Sequence, residues 1–135
     1  MSLLYLDACC IIYLLEASSP FHTKVVQRLA AHSAAPDAEL VSSRLSRIEC
    51  RTKPLRGGDA ALLARYEAFF TARRFRLAEL KPAIIEEATR LRAQYGFKTP
   101  DALHLATGIL EKADVFLTGD QQLQRCTEIQ VEVIT

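Results

Sequence analysis

With 135 residues, half of them hydrophobic and 24% charged, the chain has the makeup of a single soluble globular domain and is far from the composition of a disordered one. Lys and Arg number 17 against 16 Asp and Glu, a formal net charge of +1, so total charge neither demands a polyanionic partner nor excludes one. The apolar run Ala8 to Leu15 is too short to cross a bilayer and follows an acid instead of a cationic leader, which points away from membrane and secretion and toward the cytoplasm.

Leu3 to Leu6 is a short apolar run that stops at an acid, the pattern of a buried strand presenting Asp7 at its carboxyl end. Helices are expected over Ala8 to Leu15 and Phe21 to His32, with Pro20 between them, and a weak strand over Glu39 to Ser42. Ser43 to Lys53 mixes Leu45, Ile48 and Cys50 with charges, as a half-buried helix does, and Pro54 is expected to end it. Gly57, Gly58 and Asp59 break the chain before a helix over Ala60 to Ala72. Phe75 to Leu80 alternates like a strand, Pro82 to Tyr95 is amphipathic, and Gly96 is placed to terminate that helix. Thr99, Pro100 and Asp101 supply a cap, a first-turn proline and a first-turn acid for a helix running to Glu111. Val115 to Leu117 reads as a buried strand ending near Asp120, Gln121 to Arg125 as a short helix, and Ile129 to Ile134 as a last strand.

Strands alternating with helices over residues 1–135 imply one α/β domain: a mainly parallel sheet of about five strands with helices on both faces, since parallel strands need crossovers. Sites in such sheets lie beyond the carboxyl ends of the strands. Asp7, Asp120 and the start of the helix carrying Asp101 fall there. Cys9, Cys10, Cys50 and Cys126 form no C-x-x-C pair or His-containing zinc spacing and read as free thiols.

Carboxylates brought together repel one another unless a cation compensates, so a cluster of acids is commonly a cation site, and oxygen ligands select hard ions such as Mg2+ or Mn2+. Singly, each acid has a plainer role. Asp101 can complement a helix dipole, Asp120 can cap a turn, and Glu49 can be a solvated helix acid; Asp7, between a buried strand and an apolar helix, resists such a role best.

Together, Tyr-Leu-Asp7, Ser-Arg47-Ile-Glu49-Cys-Arg, Lys-Thr-Pro-Asp101-Ala-Leu-His104-Leu-Ala and Val-Phe-Leu-Thr118-Gly-Asp120 resemble the ordered motifs of PIN domains, in particular the VapC-type toxins of toxin-antitoxin pairs. The resemblance runs from Leu3 to the last strand. It implies a Mg2+- or Mn2+-dependent endoribonuclease, a homodimer, held in check by a small cognate antitoxin in the cytoplasm. Carried over residue by residue, it makes Asp7, Glu49 and Asp101 the principal acids and Asp120 the fourth. Thr118 fits the hydroxyl before the last acid, a core or turn role being equally open. His104 looks like a family position but reads as a packed histidine, outside the metal set. The resemblance breaks at Ala8 and Cys9, where a hydroxyl residue and then often a small polar one are usual. The loss is expected to be an outer-shell contact beside Asp7, which Ala8→Thr would restore.

Arg44, Arg47 and Arg51 are spaced three and four apart and share a helix face, a candidate contact for RNA phosphates or else a solvated surface. A haloacid-dehalogenase-like phosphatase would need a second Asp where Cys9 stands, and a receiver domain an acidic pair and a late lysine that are missing. The stronger alternative is a catalytically weakened PIN-like module that binds RNA or antitoxin.

Overall fold

The structure, a computed structural model, describes residues 2–135. Its strands are β1 (Leu3–Leu6), β2 (Glu39–Ser43), β3 (Phe75–Ala78), β4 (Val115–Thr118) and β5 (Val131–Val133), and its helices are α1 (Ala8–Leu15), α2 (His22–Ser33), α3 (Leu45–Arg56), α4 (Ala60–Phe70), α5 (Pro82–Tyr95) and α6 (Thr99–Leu110). A 3₁₀ turn covers Gln121–Arg125. The strands form one sheet in the order β3-β2-β1-β4-β5, and every neighbouring pair is parallel.

From β1 the chain builds outward through β2 to β3, then crosses back by α5 and α6 to lay β4 on the other side of β1. Connections leaving β1 and β4 therefore diverge, and a crevice opens beyond their carboxyl ends, the usual place for a site in an open α/β sheet. The period-two alternation of β1 sorts its side chains between two cores. Leu3 and Tyr5 pack with α5, α6 and Phe116. Leu4 and Leu6 pack with residues of α1, α2 and α4 and with Leu117. Gly108 lets α6 lie close on the sheet: a Cβ there would come within 3.2 Å of Phe116 and Ile129 side-chain carbons.

Local signals and tertiary packing disagree in three places. Pro54 does not end α3, which continues through it to Arg56. Ser46, Cys50 and Pro54 form the buried stripe of that helix at i, i+4 and i+8, so packing holds a last turn around the proline despite one lost backbone hydrogen bond. Thr99 is the first residue of α6, not its cap; Lys98 takes the cap position, with extended backbone and no side-chain bond. The last strand spans only Val131–Val133, although Phe116 N–H to Gln130 O and Ile134 N–H to Thr118 O carry its ladder one residue further each way. Gly96 does close α5, in the left-handed conformation (φ 76°) that suits glycine.

Candidate active site

The crevice is built from the end of β1 outward. Asp7 continues the extended backbone of the strand and caps α1, its Oδ1 accepting from Ala8 N at 2.9 Å. The parallel register pairs Leu6 with Leu117, and Asp7 N–H still bonds Leu117 O at 3.0 Å, so the next residues along, Asp7 and Thr118, meet. Thr118 Oγ1 donates to Asp7 Oδ2 at 2.7 Å and accepts from Asp120 N at 3.1 Å. One buried hydroxyl thus ties the first acid to the backbone of the last. Asp120 is itself exposed and caps the 3₁₀ turn, accepting from Gln122 N at 2.9 Å.

Asp101 enters from the first turn of α6, half-buried, with no side-chain hydrogen bond among the described residues. Burial pushes its carboxyl up from the usual range; the charges of Asp7 and Asp120 push the same way, as does Glu49 more weakly, while His104 opposes them. The other three acids therefore act on Asp101 electrostatically, as carboxylates along one crevice do.

Glu49, on α3, is held differently. His104, buried at 1% exposure, puts Nε2 2.6 Å from Glu49 Oε1 and 3.7 Å from Asp7 Oδ1, while its Nδ1 lies 2.6 Å from the Tyr5 hydroxyl. Burial disfavours the imidazolium, yet the hydrogen bond to Glu49 and the charges of Asp7, Glu49 and Asp101 outweigh it and raise the pKa. Packed as the sequence implied, His104 is also the contact between two of the acids.

The gap expected at position 8 is not there. Ala8 is buried in the core with Leu4, Leu6 and Ile11, so Ala8→Thr would put a hydroxyl into apolar packing and not beside the acids. Cys9 is the residue that reaches the acids. Its Sγ donates to Asp7 Oδ2 at 3.7 Å, lies 3.9 Å from Thr118 Oγ1 and accepts from Gly119 N at 3.2 Å. One turn on, Tyr13 packs against Gly119, where a Cβ would come within 2.8 Å of the phenol oxygen.

The four acids share one end of the sheet but do not close a ready-made ligand set: among the described residues no group of three or more His, Cys, Asp or Glu is placed to hold an ion. The donor chemistry nevertheless fits a hard divalent cation. The crevice offers carboxylate oxygens in excess, and Asp101 has no compensating partner beyond His104.

The arginine face of α3 is largely occupied. Arg44 pairs with Glu79 at 2.6 Å, and Arg47 pairs with Glu67 at 2.9 Å with its guanidinium over the Phe70 ring. Arg51 Nε donates to Arg47 O. With Leu45, Ile48 and Leu80 these arginines line a groove of about 460 Å³.

The sequence matches the PIN domain family model over residues 4–129, a span that contains all four acids. No curated protein matches it. Among solved structures the fold is similar to VapBC2 from Rickettsia felis bound to a DNA fragment from its promoter, with TM-score 0.76, 13% identity and coverage of 98% of this chain and 99% of that one. It is also similar to VapC20 of Mycobacterium tuberculosis, a toxin that cleaves the sarcin-ricin loop (TM-score 0.74, 16% identity, 94% and 98% covered). A toxin-antitoxin complex from Klebsiella pneumoniae shares the fold with TM-score 0.71 at 18% identity, 100% and 98% covered. Matched over nearly its whole length, and folded as these structures are, the chain belongs to the PIN domain family.

Proposed function

We propose that this chain is a metal-dependent endoribonuclease, the toxin of a VapBC-type toxin-antitoxin pair, hydrolysing RNA phosphodiester bonds with Mg2+ or Mn2+ held on Asp7, Glu49, Asp101 and Asp120. The observation that carries the reading is the convergence at the crevice beyond β1 and β4. Asp7 and the Asp120 backbone share one hydroxyl there, and Asp101 feels the charge of both acids. An ion bound among these carboxylates would supply a lowered pKa for an attacking water and neutralise charge on the leaving oxygen.

The chain's own residues set the rest. Thr118 orients Asp7 through its 2.7 Å hydrogen bond, the outer-shell role that fixes a ligand's direction. Of the three arginines, Arg51 is the one without a carboxylate partner among the described residues and so the freest to meet a substrate phosphate. Arg44 would exchange an exposed ion pair for phosphate, a small loss since such pairs contribute about 0–1 kcal/mol, whereas Arg47 is largely buried against Phe70 and would give up more. The toxin reading draws on the similar structures, which include toxin-antitoxin complexes and a toxin that cleaves the sarcin-ricin loop. It brings a small cognate antitoxin, a homodimer and the cytoplasm with it. Among the described residues, no helix is long and apolar enough to cross a membrane.

The test is cleavage of a mixed RNA substrate by the purified chain with Mg2+, with Mn2+ and with excess chelator. Cleavage restored by either ion and abolished by Asp7→Asn is expected. Undiminished cleavage in chelator would remove the metal mechanism.

A further inference from the structure

Two of the polar side chains most deeply buried next to the crevice, Tyr5 and His104, are left unused by the chemistry above. Tyr5 is 0% exposed and His104 1%. Around them lie Val41, Ala102, Leu105, Ala106 and Phe116, where polar groups are stable only when paired. They are paired in series: Tyr5 hydroxyl to His104 Nδ1 at 2.6 Å, then His104 Nε2 to Glu49 Oε1 at 2.6 Å. The three residues come from β1, α6 and α3.

The chemistry gives the chain a direction. An ionised carboxylate only accepts, so Nε2 must carry the proton that faces Glu49. In the neutral ring Nδ1 is then an acceptor, and the Tyr5 O–H donates to it. Tyr5 in turn cannot pivot freely, because its ring stacks on Phe116 with centroids 4.8 Å apart and an interplanar angle of 8°. Glu49 thus fixes the tautomer of the buried imidazole, and a rigid aromatic ring on the central strand fixes its tilt through the bond to Nδ1.

We propose that Tyr5 and His104 are positioning residues that hold the Glu49 carboxylate toward the crevice, so that Glu49 can serve as a ligand although it stands on a different helix from the other acids. This rests on the nuclease reading of the site. Groups that fix a ligand's orientation in this way commonly account for about tenfold to a hundredfold in metal affinity or activity.

The experiment uses the full chain and three readouts: Mn2+ binding followed by electron paramagnetic resonance, RNA cleavage rate against Mn2+ concentration, and the ¹⁵N shifts of the His104 ring in metal-free protein at alkaline pH, where the ring is neutral. Tyr5→Phe keeps the stacked ring and deletes only the hydroxyl. It should raise the Mn2+ concentration for half-saturation about tenfold, leave the rate at saturating Mn2+ near that of the native chain, and shift the ¹⁵N signal of Nδ1, which loses its hydrogen-bond donor. Added to Glu49→Gln, it should produce no further loss, because the relay acts only through Glu49. His104→Leu should reproduce the Mn2+ defect, and His104→Gln, which keeps a donor for Glu49, should recover part of it; this pair decides the matter if Tyr5→Phe fails to fold. Native Mn2+ binding in Tyr5→Phe and His104→Leu, or independent losses in Tyr5→Phe and Glu49→Gln, would overturn the relay. If Asp7→Asn abolishes Mn2+ binding while the relay variants match the native chain, the relay alone fails. If the native chain binds no Mn2+, the nuclease reading fails and the relay with it.

Discussion

Gly119→Ala tests whether the turn carrying Asp120 is clamped from α1. Gly119 is not among the positive-φ residues, so it is needed for room and not for conformation. An added Cβ would stand 2.8 Å from the Tyr13 phenol oxygen and 3.0 and 3.3 Å from its ring carbons, well inside normal contact. Either the Tyr13 ring swings off Phe21, against which it packs at 5.1 Å, or the turn shifts and loosens the Gly119 N–H to Cys9 Sγ and Asp120 N–H to Thr118 Oγ1 bonds. An aromatic pair contributes about 0.5–1.5 kcal/mol beyond its buried area, and overpacking typically costs about 1–3 kcal/mol. Because Tyr13 is only half-buried and can yield, the expected cost lies toward the low end, about 1–2 kcal/mol, or a fall of roughly 3–8 °C in Tm for a domain of this size. Urea and thermal unfolding of Gly119→Ala, Tyr13→Ala and the double variant would measure it, and the cost of the alanine at 119 should largely vanish once the phenol ring is gone. A cost below about 0.5 kcal/mol, or one unchanged in the Tyr13→Ala background, would refute the clamp.

Three further outcomes follow from the same geometry. Asp101→Asn should depress cleavage strongly while leaving Tm equal or higher, since burial and the charges of Asp7 and Asp120 already disfavour the ionised carboxyl; a clear drop in Tm with retained cleavage would make Asp101 a structural helix acid. The raised His104 pKa means the folded metal-free chain holds that proton more tightly than the unfolded chain. The resulting stability is complete below the ordinary imidazole value of about 6.5 and is lost as pH rises through the folded value; chemical denaturation across that range should show the decline, and His104→Gln should flatten it. Replacing Arg44, Arg47 and Arg51 with Gln should weaken RNA binding and flatten its salt dependence through fewer released counterions, and an unchanged slope would assign that groove to another role.

The fold was legible where local signals coincide with burial. An apolar run ending at Asp7, a proline-led helix start before Asp101 and a short strand before Thr-Gly-Asp120 each place one piece of the crevice, and strand-helix alternation brings the pieces to one end of the sheet. Position 54 shows the limit of local rules. Proline inside a helix removes one hydrogen bond, but only the buried stripe Ser46, Cys50 and Pro54 decides that the helix survives it. Position 99 shows the same limit, since a threonine ahead of a proline has the right chemistry for a cap but the chain turns helical one residue earlier.

What the sequence hides is mostly pairing across distance. Thr118 finds Asp7 from 111 positions away and Tyr5 finds His104 from 99, contacts that no spacing rule within a helix or strand predicts. Cys9 illustrates the consequence. Read along the chain, a cysteine two residues after the first acid is a departure from pattern, and the missing hydroxyl is sought at position 8. In space, the cap of α1 turns Ala8 into the core and Cys9 toward Asp7, Thr118 and Gly119. A thiol there can still accept an N–H and donate weakly to a carboxylate, so the substitution alters the strength of the contact without deleting it. Glu49 follows the same logic from the other side: its helix position alone allowed a solvated acid, and it is the buried His104, bonded to Tyr5 on β1, that takes up one of its carboxylate oxygens within reach of Asp7.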